Sequence, residues 1–260
     1  MKIFTLPKNK SLVSDLAYNA LNIGLAVALL AVVIAVDSLL AAILLVLLSK
    51  WRIFAARPRF WFKNILSNLV DIIVGVSIVV LLYAASGAIG LQVAIAAFYA
   101  AWLLFIKPRS KRAYVSFQAG TATFLGTTAL FMVSYEWPAA AVVLAMWGIG
   151  YSCARHVLTH YREADRGFFA MIWGLVLAEL GWLGYHWSFA YSLPGLESIE
   201  LSQIALIVLV VSFLAERVYD SYHRNESIIR WNDVMLPTIF SVSVILVILV
   251  LFNTLGTGVL

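Results

Sequence analysis

The apolar positions of this chain come as unbroken runs, not as alternating or face-spaced ones. Segments such as 25–36 and 242–252 carry no charged residue at all. A transmembrane β-barrel would instead show segments of about ten residues alternating apolar and polar. A helix rises about 1.5 Å per residue, so about 20 such residues cross a 30 Å hydrocarbon core. The runs therefore predict membrane-crossing helices.

Polar residues punctuate these runs at two kinds of place. The 18 Lys and Arg residues fall in five groups, at 2–10, 50–63, 107–112, 155–166 and 217–230. Each interval between groups is roughly twice the length of one crossing, or somewhat more. Each also holds a break near its middle: Asp37-Ser38, Ser86-Gly87, Tyr135-Glu136-Trp137-Pro138, and the stretch 186–200 with Pro194-Gly195. Turn residues and carboxylates at those points predict that every interval crosses twice and returns to the same side. The last run crosses once.

The result is an all-α, polytopic membrane protein with nine predicted helices, at 16–36, 38–54, 65–85, 88–106, 114–134, 138–155, 168–187, 201–218 and 234–253. Residues 1–260 form a single transmembrane domain with short loops. Basic residues mark cytoplasmic loops, so the N-terminus is expected inside and the C-terminus outside. The outer turns carry Asp37, Glu136, Glu197 and Glu200 but no Lys or Arg. In the second span Lys50 and Arg52 are expected to snorkel to the surface. Lys2, Lys8 and Lys10 before an apolar run resemble a signal peptide. That run is longer than a signal core and lacks a small-residue cleavage site, so it reads as a retained span.

Composition agrees with this picture and narrows the class. The chain is 63% hydrophobic and 12% charged, against about half and about a quarter in soluble domains. The net charge of +5 does not point to nucleic acid. Its basic residues border apolar spans and are interleaved with Trp and Phe, as at a membrane interface, where anionic lipid headgroups are the expected counter-charge. Cys153 is the single cysteine, so no intrachain disulfide forms. The expected location is the bacterial cytoplasmic (inner) membrane.

Candidate chemistry lies on the odd-numbered spans. Asp15, Asn19 and Asn22 share one helical face, as do Asn64, Asn68 and Asp71, and Gln118, Thr121 and Thr128. The even-numbered spans have no such stripe, so odd spans are expected to face the bundle interior. The stripes read either as a polar path opening to the cytoplasm or as hydrogen-bonding glue between helices. Asp71 and Glu179 stand out because no Lys or Arg is expected at their depth. Such an acid must hold its proton, be hydrogen-bonded or sit in a watery cavity. Glu179 lies near the middle of the seventh span with His186 on its face, and suits proton coupling. Gly174, Ala178 and Gly181 allow close packing of that helix.

Other features carry less chemistry. Cys153, His156, His160 and Glu163 could share a helix face as metal ligands, but the commoner reading is an amphipathic helix end, and no metal is expected. Six Trp near span ends form an interface belt. Trp147, Trp173 and Trp182 lie deeper, to pack or to line a site. Pro237 is expected to kink the last span and free backbone for Ser241. Glu216-Arg217 could be half of an intramembrane protease motif, but the partner histidines are missing. No Gly-x-Ser-x-Gly, His-Glu-x-x-His or P-loop occurs, and no cofactor is expected.

Leu44-Leu-Val-Leu-Leu-Ser-Lys-Trp-Arg52, then Arg57-Pro-Arg59, sets a cadence of apolar hairpin and basic turn. Phe105-Ile-Lys-Pro-Arg-Ser-Lys-Arg-Ala-Tyr114, running into Phe117-Gln-Ala-Gly120, repeats it. On these segments the region at about 16–131 resembles the membrane half of the aromatic acid exporter and fusaric acid resistance-like families. The resemblance implies export and carries no site residue over. Those families follow their membrane half with a cytoplasmic domain, whereas here apolar spans continue. The expected function is a small transporter or exporter of an amphipathic or organic-anion solute, proton-coupled through Glu179, with Asp71 at the cytoplasmic mouth. The alternatives are a non-catalytic scaffold or accessory subunit of a membrane complex, and a lipid-modifying enzyme using the 155–166 stretch. Expected partners are lipid, a second copy or other membrane subunits.

Overall fold

The computed structural model describes residues 12–55, 57–187, 190–193 and 196–256. The basic group at 2–10 and the Pro194-Gly195 turn lie outside the described residues, as do the side chains of Asp15, Arg52, Glu197 and Glu200. The chain is helical: α1 (Leu12–Val36), α2 (Leu39–Leu48), α3 (Arg52–Ala55), α4 (Trp61–Ala84), α5 (Ile89–Ala101), α6 (Arg112–Val133), α7 (Ala139–His160), α8 (Arg166–Trp187), α9 (Gln203–Arg224) and α10 (Trp231–Gly256). A 3-10 turn at Pro58–Phe60 leads into α4, and a π turn at Trp102–Ile106 prolongs α5.

Six stretches among the described residues are long and apolar enough to cross a membrane: Leu16–Val36, Pro58–Ala84, Ile89–Ile106, Ala139–His160, Arg166–Trp187 and Trp231–Val250. That is the pattern of a multi-pass integral membrane protein. Three of the predicted spans do not meet the same measure, each for a physical reason. α2 has 10 residues, about 15 Å of helix, or half a hydrocarbon core. α9 ends in Glu216, Arg217, Asp220 and Arg224. α6 is rich in Thr and Gly and packs on α4, α7 and α9. A helix surrounded by protein needs no lipid-like surface.

The turns between paired helices are built as their residues dictate. Asp37 takes a left-handed conformation (φ 48°), and the Ser38 hydroxyl then accepts from the Ala41 N–H to cap α2. Gly87 turns between α4 and α5 at φ 90°, a conformation that L side chains rarely adopt. The stretch expected as a loop at 186–200 holds a short antiparallel hairpin instead, β1 (Ala190–Leu193) with β2 (Leu196–Ser202). Within it Ile199 and Leu201 alternate with Glu200 and Ser202, a period-2 signal too short to outweigh the turn residues beside it.

α4 and α6 form the centre. α4 packs against α1, α2, α5, α6 and α7, and its stretch from Val74 to Leu82 is buried but for Val76. α7 and α8 pack along their whole length, and α10 lies against α9 at the edge. The expectation that odd-numbered spans face the interior holds for α4 and α6 only. α1, α8 and α10 are peripheral and expose Leu21, Phe168 and Leu236 among many apolar side chains.

Glycines set the α7–α8 seam. A Cβ on Gly174 would meet the Trp147 ring at 2.9 Å and the Trp147 carbonyl oxygen at 3.0 Å. One on Gly181 would meet Met146 at 2.5 Å. Trp147 thus packs on Gly174 and stacks on Tyr151, while Trp182 is exposed and touches His186. In α10 it is Thr238, not Ser241, that hydrogen-bonds to the helix backbone, donating to the Val234 carbonyl (2.7 Å) beside Pro237. The Ser241 hydroxyl is buried with no hydrogen-bond partner.

Candidate functional site

The helix ends that carry the basic groups meet, and they build two polar clusters joined by one loop. The first cluster centres on Asp71, buried on α4. Lys50, just past α2, and Lys107, just past the π turn, both contact its Oδ2, Lys107 at 2.8 Å. Lys50 is 7% exposed and Lys107 31%. Two corrections follow. Lys50 does not snorkel to the surface but turns inward to the acid. Asp71 does have cations at its depth, two of them, reaching in from residues that bound apolar runs.

Local structure explains how they get there. α2 stops after ten residues, and Ser49 closes its last turn by donating to the Val46 carbonyl, 2.6 Å. The chain therefore bends at Lys50 while still inside the bundle. On the other side the Lys107 N–H bonds the Trp102 carbonyl five residues back, 2.9 Å. This wide turn delays the helix by about one residue and places Lys107 beside α4; π turns of this kind recur at functional sites.

The cluster sets two lysines against one acid and has bonding capacity left over. Asp71 Oδ1, the Tyr99 hydroxyl and the Trp102 indole N–H are all buried without a hydrogen-bond partner. Tyr99 is fully buried, on the helix turn before Trp102. Its hydroxyl would lie 3.2 Å from a Cβ on Gly75, one turn beyond Asp71 on α4. Buried polar atoms in native proteins nearly always have partners. Asp71 Oδ1 and the Tyr99 hydroxyl thus leave unused bonding capacity beside the ion-paired cluster.

The second cluster joins α6, α7, α9 and α10. Arg112, at the start of α6, bonds Asp220 and lies 3.6 Å from Glu216, both on α9. Arg224 adds a second contact to Asp220 at 2.9 Å. Ser116 donates to Glu216 at 3.0 Å, and the Tyr161 hydroxyl to Asp220 at 3.4 Å. The Arg112 guanidinium also stacks 5.0 Å over the Tyr161 ring. Tyr219 donates to Glu163, and Ser221 and Asn225 bond Asp233 at the start of α10. Burial first, and then Glu216, pushes the Tyr161 phenol above its ordinary range; burial and Glu163 do the same for Tyr219. This cluster is satisfied within itself and acts as a staple.

Gln118 connects the two. Its side-chain amide donates to the carbonyls of Ile106 (2.7 Å) and Arg109 (3.0 Å), and its oxygen is 2.9 Å from His156 Nε2. It thereby holds the loop that carries Lys107 at one end and Arg112 at the other.

The remaining predicted site residues fall elsewhere. Asn68 donates to the Asn64 carbonyl and Asn22 to the Tyr18 carbonyl, so each closes on its own helix and not across helices. Thr128 does the same with Phe124. Cys153 is buried, His156 pairs with Gln118, His160 is exposed and Glu163 takes the Tyr219 proton donor. Among the described residues no three His, Cys, Asp or Glu are grouped to hold a metal. Glu179 is exposed on the outer face of α8, and His186 is exposed on the same face, in contact with the rings of Trp182 and Tyr185.

Comparison with known protein families, with characterised proteins and with solved structures finds no match for this chain.

Proposed function

We propose that the protein is a nine-crossing transporter of a small organic anion, with the Lys50–Asp71–Lys107 cluster as its anion and proton site. The observation that carries this reading is a buried cluster of two lysines on one acid, with Asp71 Oδ1 and the Tyr99 hydroxyl left without partners. An anionic group entering it would pair with the second lysine, and the Tyr99 phenol offers it a neutral donor. Lys107, the more exposed lysine, is the one a solute reaches first. If Asp71 takes up a proton as the anion arrives, the cluster's charge is unchanged, which is the condition for one-to-one proton coupling. The coupling residue in this reading is Asp71, not Glu179.

Four of the five basic groups meet through the two clusters, which supports nine crossings with those loops on one side, cytoplasmic by their charge. The second crossing runs through α2, the bend at Lys50 and α3. The exporter-like cadence of the first half agrees with an anionic solute.

The test is uptake of benzoate, as probe, by liposomes containing the purified protein under an imposed pH gradient. Saturable uptake driven by the gradient is expected. Lys107→Gln should abolish it, and Asp71→Asn should leave whatever flux remains insensitive to pH. Flux no greater than in protein-free liposomes would sink the reading. A second reading, an accessory subunit of a membrane assembly, is favoured by the outward position of Glu179.

A further inference from the structure

Glu179 is the one acid near the middle of α8, and it points away from the protein. The face of α8 that packs on α7 and α9 is Ala170, Gly174, Leu177, Ala178, Gly181 and Gly184, all buried. At about 100° per residue, Glu179 lies about 170° round the helix from the centre of that stripe. The glycine contacts leave no freedom to rotate it inward, since Gly174 and Gly181 already touch Trp147 and Met146.

The outward face has its own order. Phe168, Ile172, Leu175, Glu179, Trp182 and His186 are all exposed, and their spacing alternates four and three. That is the spacing of one helical face, which a second helix packing along its length would use as a heptad seam. Glu179 is the acid of this seam and His186 its other polar member, and a buried polar residue in such a seam sets register, as an Asn does in coiled coils. A lipid-facing surface does not need the acid.

We infer that this face of α8 docks against the same face of a second copy of the chain, with Glu179 hydrogen-bonded to the partner's Glu179. Two arguments select a second copy. No Lys or Arg lies between Arg166 and Arg217, so the α8 face offers no cation at this depth. A carboxyl that keeps its proton is both donor and acceptor, hence self-complementary across a two-fold axis. Parallel α8 helices related by an axis along the membrane normal put the two carboxyls at one depth. Each then satisfies the other where lipid could satisfy neither. The pairing is independent of the anion site, so either proposal stands or fails alone.

The experiment is cysteine cross-linking of the full chain in membranes, in a Cys153→Ala background. Leu175→Cys and Trp182→Cys should cross-link efficiently between copies, and Val247→Cys on α10 should not. Glu179→Leu should lower the yield at position 175 about tenfold, the scale of one interhelical hydrogen bond in a membrane. Glu179→Gln, which keeps a donor and an acceptor, should retain it. Equal cross-linking at 247, an unchanged yield with Glu179→Leu, or a different polypeptide cross-linked to 175 would each overturn the inference.

Discussion

Lys107 Nζ lies 2.8 Å from the Asp71 oxygen that Lys50 also contacts, so a single carboxylate atom ties two lysines from separate hairpins to α4. The geometry concentrates the attraction on Oδ2 and leaves Oδ1 buried and unbonded. Removing the acid therefore leaves two lysine side chains facing each other with no counter-charge between them.

Asp71→Asn should destabilise the fold by about 3–5 kcal/mol, the cost of breaking a buried pair by removing one partner. Adding Lys50→Met to that variant should recover much of the loss, because it removes one of the stranded charges. Chemical denaturation in one detergent would measure both. Strictly additive effects of the two substitutions would contradict the shared-oxygen geometry.

The α7–α8 seam makes a prediction that depends on which side of a helix a glycine occupies. Gly174→Ala should cost about 1–3 kcal/mol, since the new Cβ meets the Trp147 backbone oxygen as well as its ring. Gly148→Ala, on the same pair of helices but with nothing within 4 Å, should be neutral or stabilise by about 0.5–1 kcal/mol through helix propensity. Thermal melting of the two variants side by side decides it.

Much of the helix layout was legible in the chain, because apolar runs broken by charge report helix ends directly. The ends at Val36, Ala84, Val133 and Trp187 fall within a residue or so of the expected breaks. What the runs could not report is which face of each helix looks inward. Glu179 and Gly181 are two residues apart, and only the packing of Met146 on Gly181 reveals that Glu179 faces out. Lys50 and Lys107 look like boundary markers in the chain, since their charges obey the same rule as the other basic residues. Their pairing with Asp71 depends on the short α2 and on the π turn, and neither has a sequence period. The second cluster left a faint signal: Glu216 and Asp220 are spaced one turn apart at the end of an apolar helix, where unpaired acids would be costly.

Alkaline titration should separate the tyrosines. Tyr161 and Tyr219 are held above the ordinary value of 10.0, by burial first and by Glu216 and Glu163 next. A raised phenol favours the protonated native state, so its contribution is fully present below the unfolded value. It is lost as pH rises toward and through the folded one. Phenolate absorbance should therefore show a late-ionising class that shrinks with Tyr161→Phe and again with Tyr219→Phe. Stability should decline above about pH 10. A single titration near the ordinary value for all tyrosines would refute the cluster's geometry.

Gln118→Leu should strip the Ile106 and Arg109 carbonyls of their side-chain donor and leave His156 without its partner. A loss of about 1–3 kcal/mol is expected for buried polar groups left unsatisfied. Faster hydrogen exchange should be confined at first to the loop at 107–112. Unchanged exchange there would show that the loop is held by other means.

That loop has a mechanical meaning. It is short, it is pinned at its middle by Gln118, and its two ends are cations anchored in different clusters. α5, before the loop, and α6, after it, are therefore tied through one short segment to Asp71 on α4 and Asp220 on α9. A shift of α5 against α6 would load the Lys107–Asp71 pair, the Arg112–Asp220 pair or both. The loop thus links helix position to charge pairing.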